Sequence, residues 1–378
     1  MREILFVAGE VSGDLHASAV ARALKARCAP YALVAVGGDG LRDAGAELLE
    51  HVETLSVMGF IEPLKQLPRF RRLHARLRER LESGRVALVI LVDYAGFNMK
   101  VASAAKRAGV PVLYFITPQV WASRAGRLRE LARTVTRAAV ILPFEEKLLR
   151  GAGIDAQFVG HPLLDRARAM PDRLEARAAI GIGPDDRLLA LFPGSRAQEI
   201  ARHLDLFVAT ARELQQRDPA LKVVVSAAPH VQISTDRCPY PLVHAASFPL
   251  LRAADAAMCK SGTTTLEATV ALCPMVVAYR TDAITYALAK RLVKIRFIGL
   301  VNVLAGRELA PEFVQDALQP SAVADALAPL LDHASPQRRA MVVALAEVRD
   351  TLGEIGAADR VADIALSMVE TSAHASAP

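Results

Sequence analysis

Residues 261–267 (Ser-Gly-Thr-Thr-Thr-Leu-Glu) have the types and spacing of a nucleotide-binding turn between a strand and a helix. Unpaired N–H groups and the dipole at such a helix start attract a phosphate, and the Thr263 hydroxyl adds a donor. The carboxylate of Glu267, almost two helical turns beyond Ser261, can accept both hydroxyls of a ribose. Ser261, Gly262, Thr263 and Glu267 are therefore candidates for binding a nucleoside diphosphate. The alternative is an ordinary capped helix with a solvated Glu267.

A second small-residue turn, Pro-Gly-Ser-Arg at 193–196, follows the apolar strand pattern of residues 188–192. An arginine at the start of a helix can bind a diphosphate through two parallel hydrogen bonds. Ser195 and Arg196 are therefore assigned to the same diphosphate, and Arg196 is also a catalytic candidate because it would neutralise charge there. The alternative is a surface Arg196 paired with Glu199 on the next helical turn.

The segment after the first apolar run, Ala-Gly-Glu-Val-Ser-Gly-Asp at 8–14, contains two carboxylates. Its glycine spacing differs from that of a dinucleotide-binding fingerprint, and its negative charge disfavours a pyrophosphate. A sugar or another hydroxyl-rich acceptor fits better, so Gly9, Glu10, Ser12 and Asp14 are assigned to the acceptor side. For Ser12 and Asp14 the alternative is that they cap a helix.

Asp93 directly follows the apolar run 88–92, which is typical of a buried parallel strand. A carboxylate at the end of a central strand costs free energy unless it is hydrogen-bonded or used, and it is well placed to be a general base. Asp93 is therefore the predicted catalytic base, and Asn98 in the same segment is assigned to the acceptor side. The alternative is that Asp93 caps the helix that begins near Phe97.

A fourth polar group lies in an apolar region, at Asn-Val-Leu-Ala-Gly-Arg-Glu, residues 302–308. It predicts a polar cluster facing the site, with Asn302 as a catalytic candidate and Arg307 as a nucleotide contact. The alternative is a surface loop.

Motifs of several other chemistries are absent from the sequence. There is no Asp-x-Asp, which excludes a metal-chelating nucleotide-sugar site of that type, and no P-loop, which disfavours phosphate transfer from ATP. The histidines and cysteines show no metal-ligand spacing. We therefore expect no metal and no cofactor.

The composition predicts a globular, cytoplasmic protein with two domains. The chain has 378 residues, of which 52% are hydrophobic. This length is too great for one typical hydrophobic core and fits two domains of ordinary size. No run of about 18 apolar residues occurs, and the segment before the first predicted strand is too short for a signal peptide. The four cysteines show no paired spacing and fit reduced thiols.

The net charge of +6 is concentrated between Lys65 and Arg85, where apolar residues recur at helical spacing. The first part of this helix is predicted to lie on an anionic membrane surface, through Leu64, Leu67, Phe70, Arg69, Arg71 and Arg72. The last part is predicted to pack in the core through Leu73, Leu77 and Leu81. A nucleic-acid partner is disfavoured because aromatic residues are scarce.

Both halves of the chain alternate strand and helix patterns, which predicts an α/β protein with two doubly wound, Rossmann-like domains. The predicted domains are 1–170 on the acceptor side and 171–345 on the nucleotide side. Residues 346–378 are predicted to be a C-terminal helix and tail that packs on the first domain or on a partner subunit. Because ligands bind at the carboxyl ends of parallel strands, we expect the motifs to line one cleft between the domains.

In their order and number, these motifs resemble the lipid-A-disaccharide synthase family, whose members are glycosyltransferases with the two-domain GT-B fold. The resemblance runs from Ile4 to about Gln315. Besides the three motifs at 8–14, 191–196 and 261–267, it rests on Pro-Gln-Val-Trp-Ala at 118–122, Gly-His-Pro-Leu at 160–163, Cys-Pro-Met-Val-Val at 273–277 and Leu-Ala-Gly-Arg-Glu at 304–308.

The resemblance implies an inverting enzyme of lipopolysaccharide biosynthesis. It would join UDP-2,3-diacylglucosamine to 2,3-diacylglucosamine 1-phosphate (lipid X) through a β-1,6 linkage and release UDP. Cationic side chains and helix N-termini, rather than a metal, would stabilise the departing diphosphate. Since both substrates carry acyl chains, the expected location is the cytoplasmic face of the inner membrane, with peripheral attachment. The oligomeric state is left open, a homodimer included.

Two positions depart from the family pattern. The family commonly has Asp-x-Pro, a second acidic residue and then Phe-Asn, whereas here Ala95 and Gly96 replace the proline and the acid. Asp93 is then the only acid of the segment, and Glu10 or Asp14 would assume any duty of the missing carboxylate. Ser123 stands where an aromatic residue usually follows Val-Trp-Ala.

Other functions stay open on the residues. One is a different GT-B enzyme with a UDP-N-acetylglucosamine-type donor, either a transferase with another lipid acceptor or a UDP-sugar epimerase. A basic, apolar surface favours a lipid substrate, which an epimerase does not need. A third is a non-catalytic ligand-binding protein of two domains. Such a protein normally works outside the cell, whereas we find no export signal in this sequence, and it would not need a buried Asp93.

Overall fold

The structure is a computed structural model that describes residues 1–54, 62–123, 125–228, 231, 233–244, 247–282, 286 and 296–375. For residues 54, 62–66, 122, 123, 125 and 372–375 it describes the backbone alone. The chain divides into two compact units, Met1–Pro162 with Leu352–Pro378, and Leu163–Thr351. The boundaries predicted from the sequence, after residues 170 and 345, differ from these by eight and six residues.

The strands of the two units form two separate parallel sheets. The strands are β1 (Glu3–Ala8), β2 (Ala32–Gly37), β3 (Glu47–His51), β4 (Val86–Val92), β5 (Val112–Phe115), β6 (Arg137–Val140), β7 (Asp155–Phe158), β8 (Leu188–Phe192), β9 (Lys222–Ser226), β10 (Leu242–Val243), β11 (Ala256–Lys260), β12 (Met275–Tyr279) and β13 (Glu312–Val314). The first sheet has the order β3-β2-β1-β4-β5-β6-β7, and the second has the order β10-β9-β8-β11-β12-β13.

The connections between successive strands are mostly helical, as parallel strands require. The helices are α1 (Val11–Ala26), α2 (Asp39–Asp43), α3 (Glu62–Glu82), α4 (Ala95–Arg107), α5 (Val120–Ser123), α6 (Ala125–Thr134), α7 (Pro143–Gly151), α8 (Pro162–Ala167), α9 (Arg173–Ala178), α10 (Ala197–Arg217), α11 (Ser247–Ala253), α12 (Thr263–Ala271), α13 (Leu300–Ala305), α14 (Pro320–Leu331), α15 (Pro336–Thr351) and α16 (Ala357–Ala375).

The first sheet is covered on both faces. Alternate residues of β1 point to opposite faces, so Leu5 packs with α3, α4 and α6, while Ile4 packs with α1 and α16. All seven residues of β4 are buried, which explains its unbroken apolar sequence. The predicted burial of Leu73, Leu77 and Leu81 is confirmed, since each is at most 2% exposed. The C-terminal helix α16 belongs to this unit and pairs with it through Arg27, which bonds to Asp359 and Asp363.

A buried carboxylate organises the second unit. Asp255, fully buried just before β11, accepts a hydrogen bond from the N–H of Leu188 at 2.8 Å and pairs with Arg177 at 2.9 Å. Arg173 and His333 also bind its carboxylate. Arg177 in turn donates to the carbonyl oxygens of Gly183, Pro184, Asp186 and Ala253. This network ties α9 and the loop between α14 and α15 to the amino ends of β8 and β11.

The prediction of two doubly wound α/β units is confirmed, and the central strands lie where their apolar runs predicted. Three strands had no sequence prediction: β3, β10 and β13. All three are edge strands of their sheets. An edge strand is covered less completely than a central one, so its sequence carries a weaker apolar pattern. The five residues of β3, for example, include two glutamates and a histidine.

Candidate active site

Four loops at the carboxyl ends of strands carry the predicted motifs. In the first sheet the strand order reverses between β1 and β4, and in the second between β8 and β11. Ligands of open parallel sheets bind at the carboxyl ends of the strands beside such a reversal. The loops after β1 and β4 contain Glu10 and Asp93, and those after β8 and β11 contain Arg196 and Gly262. Each sheet therefore brings two of the predicted motifs to its own reversal point.

The loop after β1 is shaped by a glycine that faces an aromatic ring. A Cβ atom on Gly9 would lie 2.0 Å from the ring of Tyr94, so only glycine leaves room for this ring. Glu10 and Ser12 are exposed at the start of α1. Burial raises the pKa of Tyr94, and the charge of Glu10 raises it further. Gly9 is buried where the Tyr94 ring of the Asp93 loop packs, while Glu10 and Ser12 are on the surface.

The loop after β4 holds two consecutive residues in the left-handed conformation. Asp93 has φ +49° and Tyr94 has φ +48°, values that cost free energy for residues other than glycine. The surroundings hold this shape, since the Asp93 carbonyl oxygen accepts hydrogen bonds from the Tyr114 hydroxyl at 2.7 Å and from Nδ2 of Asn98 at 2.8 Å. Burial raises the pKa of the Asp93 carboxyl, against a smaller opposing effect of the Tyr94 N–H. Asp93 is therefore a rigidly placed carboxyl of increased basicity.

The assignment of Asn98 to the acceptor needs correction. Its side chain is fully buried, and its Nδ2 also reaches the carbonyl oxygens of Val7 and Val92, each at 3.2 Å. The amide therefore joins the ends of β1 and β4 to the peptide of Asp93. Asn98 positions the loop and does not face a ligand.

The assignment of Asp14 to the acceptor is also wrong. This carboxylate is 6% exposed and accepts hydrogen bonds from the N–H groups of Gly38 (2.6 Å), Gly40 (2.9 Å) and Leu41 (3.2 Å). It caps α2, because three donors at a helix start suit one carboxylate. A Cβ atom on Gly38 or Gly40 would lie within 2.8 Å of Oδ2. The glycines of Gly-Gly-Asp-Gly at 37–40 are the sequence signal for this contact, and sequence reasoning missed it.

In the second unit, the turn after β8 binds a carboxylate of its own chain. The N–H groups of Ser195 and Arg196 donate to Oε2 of Glu199, at 3.0 and 3.4 Å. The Arg196 side chain is 73% exposed, with Nη1 3.7 Å from Oε1 of Glu199. The alternative of an Arg196–Glu199 pair is therefore observed. The exposure of the guanidinium still leaves it accessible to a ligand.

The turn after β11 has the backbone shape that its sequence predicted. Gly262, the residue before α12, has φ +156°, which favours glycine. Ser261 is engaged within the unit, since its N–H donates to the carbonyl oxygen of Ala278 at 3.0 Å and its hydroxyl to that of Ile298 at 2.8 Å. Its N–H is therefore not an unpaired donor, contrary to our expectation. Thr263, the first residue of α12, is exposed.

Glu267 lies one turn into α12 and is 8% exposed, so the alternative of a solvated glutamate is wrong. Its Oε1 is 3.2 Å from Nη1 of Arg166, and the Arg166 guanidinium also lies 5.5 Å from the centre of the Phe248 ring. No sequence motif indicates Arg166 as the partner of Glu267, because the two residues are 101 positions apart in the chain. A ribose contact by Glu267 stays a prediction.

Asn302 has a structural role in the unit, and its catalytic assignment stays a prediction. This residue is fully buried, and both ends of its amide are occupied. Nδ2 donates to the Ala310 carbonyl at 2.7 Å and to Glu312 at 2.8 Å, while Oδ1 accepts from the N–H groups of Leu309 and Ala310, each at 2.8 Å. It therefore holds the chain that enters β13. Arg307, in contrast, is exposed, so Asn302 and Arg307 do not share one polar cluster as the sequence predicted.

Sequence reasoning also missed Glu145, a buried carboxyl near the carboxyl end of β6. It is 3% exposed and accepts hydrogen bonds from Nε1 of Trp121 at 3.1 Å and from the N–H of Leu142 at 3.2 Å. Burial raises its pKa to about 7, although these hydrogen bonds lower it in part. Trp121 packs edge-on against Phe144 at 5.2 Å. Trp121 belongs to one of the family motifs, so this carboxyl anchors that motif.

The predicted membrane-facing residues do not share one environment. Phe70 is partly buried against the core and lies 5.6 Å from Phe97 and 6.5 Å from Tyr94 between ring centres, so its assignment to the membrane is wrong. Arg69 pairs with Glu50. Leu67 is 38% exposed, and Arg71 and Arg72 are exposed. The side chain of Leu64 lies outside the described residues.

In the part of the chain that the structure describes, no three His, Cys, Asp or Glu side chains cluster as ligands of a metal would. Within the same residues, no helix combines the length and the apolar character needed to cross a membrane. The absence of a metal requirement stays a prediction.

Comparison of the sequence with known proteins identifies close relatives over its whole length. The family model described as lipid-A-disaccharide synthetase matches residues 4–360. The lipid-A-disaccharide synthase of Syntrophus aciditrophicus (strain SB) is 38% identical over 377 residues, which cover 98% of each chain. That of Anaeromyxobacter sp. (strain K) is 40% identical over 381 residues, or 97% of each chain.

Comparison of the structure identifies the same fold in more distant proteins. S. aureus MnaA in a structure with UDP has a TM-score of 0.65 at 12% identity, covering 99% of this chain and 97% of that one. UDP-GlcNAc 2-epimerase from Neisseria meningitidis, bound to UDP-GlcNAc, has a TM-score of 0.60 at 12% identity, with coverages of 98% and 100%. Acinetobacter baumannii MurG has a TM-score of 0.58 at 13% identity, with coverages of 97% and 99%. These identities support the GT-B fold class and no more.

Proposed function

Because this chain belongs to the lipid-A-disaccharide synthase family, we propose that it condenses UDP-2,3-diacylglucosamine with 2,3-diacylglucosamine 1-phosphate. The broader activity follows from the family itself: the chain is a glycosyltransferase that forms the lipid A disaccharide. The finer proposal adds the two substrates, a β-1,6 linkage made with inversion, and UDP as the second product.

The placement of Asp93 is the observation on which this proposal depends most. Its carboxyl follows the central strand β4, at the reversal of the first sheet, in a backbone shape held by Tyr114 and Asn98. Burial raises the pKa of this carboxyl, so its ionised form is a better proton acceptor than an ordinary aspartate. A rigid, basic carboxylate is what activation of a sugar hydroxyl requires.

In the proposed reaction, the Asp93 carboxylate takes the proton of the acceptor's 6-hydroxyl while that oxygen attacks C1 of the donor sugar. The bond between C1 and the diphosphate oxygen breaks, and its electron pair leaves with UDP. Attack on the face opposite the leaving group inverts the configuration at C1. Glu10 and Ser12 would contact the acceptor, since both are exposed at the start of α1, and Gly9 would give the Tyr94 ring of the Asp93 loop room beside them.

The donor's UDP is assigned to the loops of the second unit. Ser195, Arg196, Ser261, Gly262 and Thr263 line the ends of β8 and β11, and the exposed Arg196 guanidinium would meet the charge that develops on the diphosphate. Glu267 would accept the ribose hydroxyls, with Arg166 holding the carboxylate. Arg307 is the least supported of these contacts, because its role rests on exposure alone.

For the lipid substrates we propose contact with the anionic inner face of the inner membrane through α3. Leu67, Arg71 and Arg72 are among the described residues of α3 that face solvent, and Leu64 would extend the same surface. Basic residues near an anionic surface attract it by about 1 kcal/mol each. The attachment would be peripheral, and a homodimer stays a proposal without structural support.

The second candidate from the sequence, another GT-B enzyme with a UDP-N-acetylglucosamine-type donor, rests on fold likeness at 12% identity. Incubation of the purified protein with the two lipids separates the candidates. We expect UDP and a disaccharide 1-phosphate by mass spectrometry, with the β-anomer identified by NMR. If UDP-N-acetylglucosamine is epimerised instead and the lipids stay unchanged, the proposed reaction is wrong.

A further inference from the structure

A lysine that no motif contains lies between the two donor-side turns. Lys260 is the last residue of β11 and directly precedes the turn of Ser261 and Gly262. Its Nζ is 3.7 Å from the point that a Cβ atom on Gly262 would occupy, so the ammonium group lies beside the start of α12. Its side chain is 19% exposed, and the ammonium is 5.8 Å from the centre of the Tyr279 ring.

The ammonium is held by the same carboxylate that binds the other turn. Nζ of Lys260 is 2.9 Å from Oε1 of Glu199, whose Oε2 accepts the N–H of Ser195 at 3.0 Å. A Cβ atom on Gly194 would lie 2.5 Å from Cβ of Glu199, so the glycine is needed for this approach. The Lys260–Glu199 pair therefore connects the turn after β8 with the turn after β11.

A buried histidine binds the main chain of Glu199. The N–H of Arg280 donates to Nε2 of His203 at 2.9 Å, so Nε2 is the acceptor nitrogen and Nδ1 carries the proton. Nδ1 then donates to the Glu199 carbonyl oxygen at 2.7 Å. Each member of the network thus has a defined partner, and the position of the Lys260 ammonium is determined by the fold.

We propose that Lys260 is a second cation of the donor diphosphate site and that Glu199 positions it there. Without a nucleotide, two cations, Lys260 and Arg196, surround the single negative charge of Glu199. A diphosphate at the two turns would bring the further negative charge that these cations can neutralise. The leaving UDP gains charge as the bond to C1 breaks, so a preorganised ammonium stabilises the transition state. This inference depends on the proposed function, since it assumes a nucleoside diphosphate donor.

Two variants that break the same ion pair distinguish this role from a structural one. Lys260→Met removes the positive charge, whereas Glu199→Gln removes the negative charge and keeps a side-chain oxygen that can accept from Lys260. If Lys260 contacts the diphosphate, Lys260→Met should weaken UDP binding about tenfold and lower kcat about 10²-fold, the effect of removing one transition-state donor. Glu199→Gln should leave the affinity for UDP equal or increased. Lys260→Arg should recover part of the loss.

The measurements are UDP titration calorimetry and steady-state kinetics, with Lys222→Met as the matched control. Lys222 is an exposed lysine at the opposite, amino end of β9. Equal losses of UDP affinity in Lys260→Met and Glu199→Gln would show that the ion pair is structural. If Lys260→Met has the same UDP affinity and kcat as Lys222→Met, Lys260 is not part of the diphosphate site. If Lys260→Met does not fold, Lys260→Gln replaces it, and a Lys260→Gln protein with unchanged UDP affinity and kcat overturns the inference equally. Calorimetry with UDP needs no acceptor substrate. If the wild-type protein binds UDP and makes no disaccharide, the proposed reaction is refuted, but the UDP affinities of the variants still test the role of Lys260.

Discussion

At the scale of single residues, Asp93 combines features that seldom occur together by accident. It is a partly buried carboxyl in a left-handed backbone conformation, beside a second left-handed residue. Two consecutive strained residues persist only where the surrounding contacts hold them, as the Tyr114 hydroxyl and the Asn98 amide do here. The strain therefore serves the placement of the carboxylate.

We expect Asp93→Asn to lower kcat by about 10²–10⁴-fold, the usual contribution of a positioned base, with UDP binding unchanged. Because burial raises the pKa of Asp93, wild-type kcat/KM should fall on the acid side at a higher pH than for an ordinary aspartate. Kinetics across pH and UDP calorimetry check both statements. The exposed Asp185, changed to Asn, is the control, and near wild-type turnover of Asp93→Asn would transfer the role to Glu10.

Glu145 gives a pH dependence of stability that can be separated from catalysis. Its pKa is raised to about 7, mainly by burial, so the folded unit binds this proton more tightly than the unfolded chain does. The resulting stability is complete below the unfolded pKa of about 4.3 and is lost as pH rises through about 7. We expect the free energy of unfolding to decrease between pH 5 and 8, and Glu145→Gln to reduce that slope. Urea titrations at several pH values measure it, with Glu146→Gln as the control; an unchanged slope contradicts the assignment.

At the scale of elements, the environment of α3 changes along its length. Its last turns pack Leu73, Leu77 and Leu81 in the core, while Phe70 packs against Tyr94 and Phe97. Several of its arginines are also engaged, Arg69 with Glu50 and Arg80 with Glu3. The charge that remains for a membrane is therefore smaller than the sequence alone implies.

A variant of α3 that avoids the packed residues tests the membrane contact. We expect Leu67→Ser with Arg71→Gln and Arg72→Gln to reduce binding to anionic vesicles at least tenfold and to leave thermal unfolding unchanged. High salt should release only part of the wild-type protein, because the apolar contact is not screened. Leu174→Ser is the control, at a leucine of α9 that is 63% exposed against 38% for Leu67. Vesicle binding equal to that of the wild type would refute the contact.

At the scale of the whole molecule, each unit depends on contacts that its local sequence does not contain. The carboxylate of Asp255 collects Arg173, Arg177 and His333 from segments far apart in the chain. Burial alone raises the pKa of Asp255, but the hydrogen bond from Leu188, the charge and hydrogen bond of Arg173 and the hydrogen bond of His333 outweigh it, so the pKa is lowered. The stability it contributes is present above the unfolded pKa and is lost as pH falls through the lowered folded value.

We expect Asp255→Asn to destabilise the second unit by about 3–5 kcal/mol, because the buried Arg177 loses its counter-ion. Asp325→Asn, which breaks the exposed pair with Arg217, should cost much less. Urea unfolding followed by circular dichroism compares the two variants at pH 7. Equal effects would show that the Asp255 network is not a stabilising centre.

A metal requirement is a property of the whole enzyme, and the sequence predicts none. We expect prolonged dialysis against EDTA to leave disaccharide formation within twofold of the untreated protein. Arg196 and Lys260 would then neutralise the leaving diphosphate. The check is activity before and after dialysis, with added magnesium or manganese as the second arm. Recovery of a lost activity by either ion would show that the diphosphate is stabilised differently.

Much of the architecture is encoded locally and could be predicted without a structure. The apolar runs of β1, β4, β8 and β11 identify the central strands, since a strand covered on both faces needs apolar residues throughout. The small-residue turns after those strands identify the candidate loops, and the order of motifs identifies the family. Edge strands such as β3 were missed because one-sided cover leaves a weak pattern.

Only the tertiary structure could decide the roles of the polar residues near those loops. Asp14 and Asn302 look like ligand contacts in the sequence, yet one caps α2 and the other closes the entry to β13. Conversely, Lys260 belongs to no motif, and its position beside the donor turns depends on Glu199, sixty-one residues away. The physical reason is that hydropathy and turn chemistry act between neighbours in sequence. The partner of a buried polar group is determined by which strands are adjacent in the sheet.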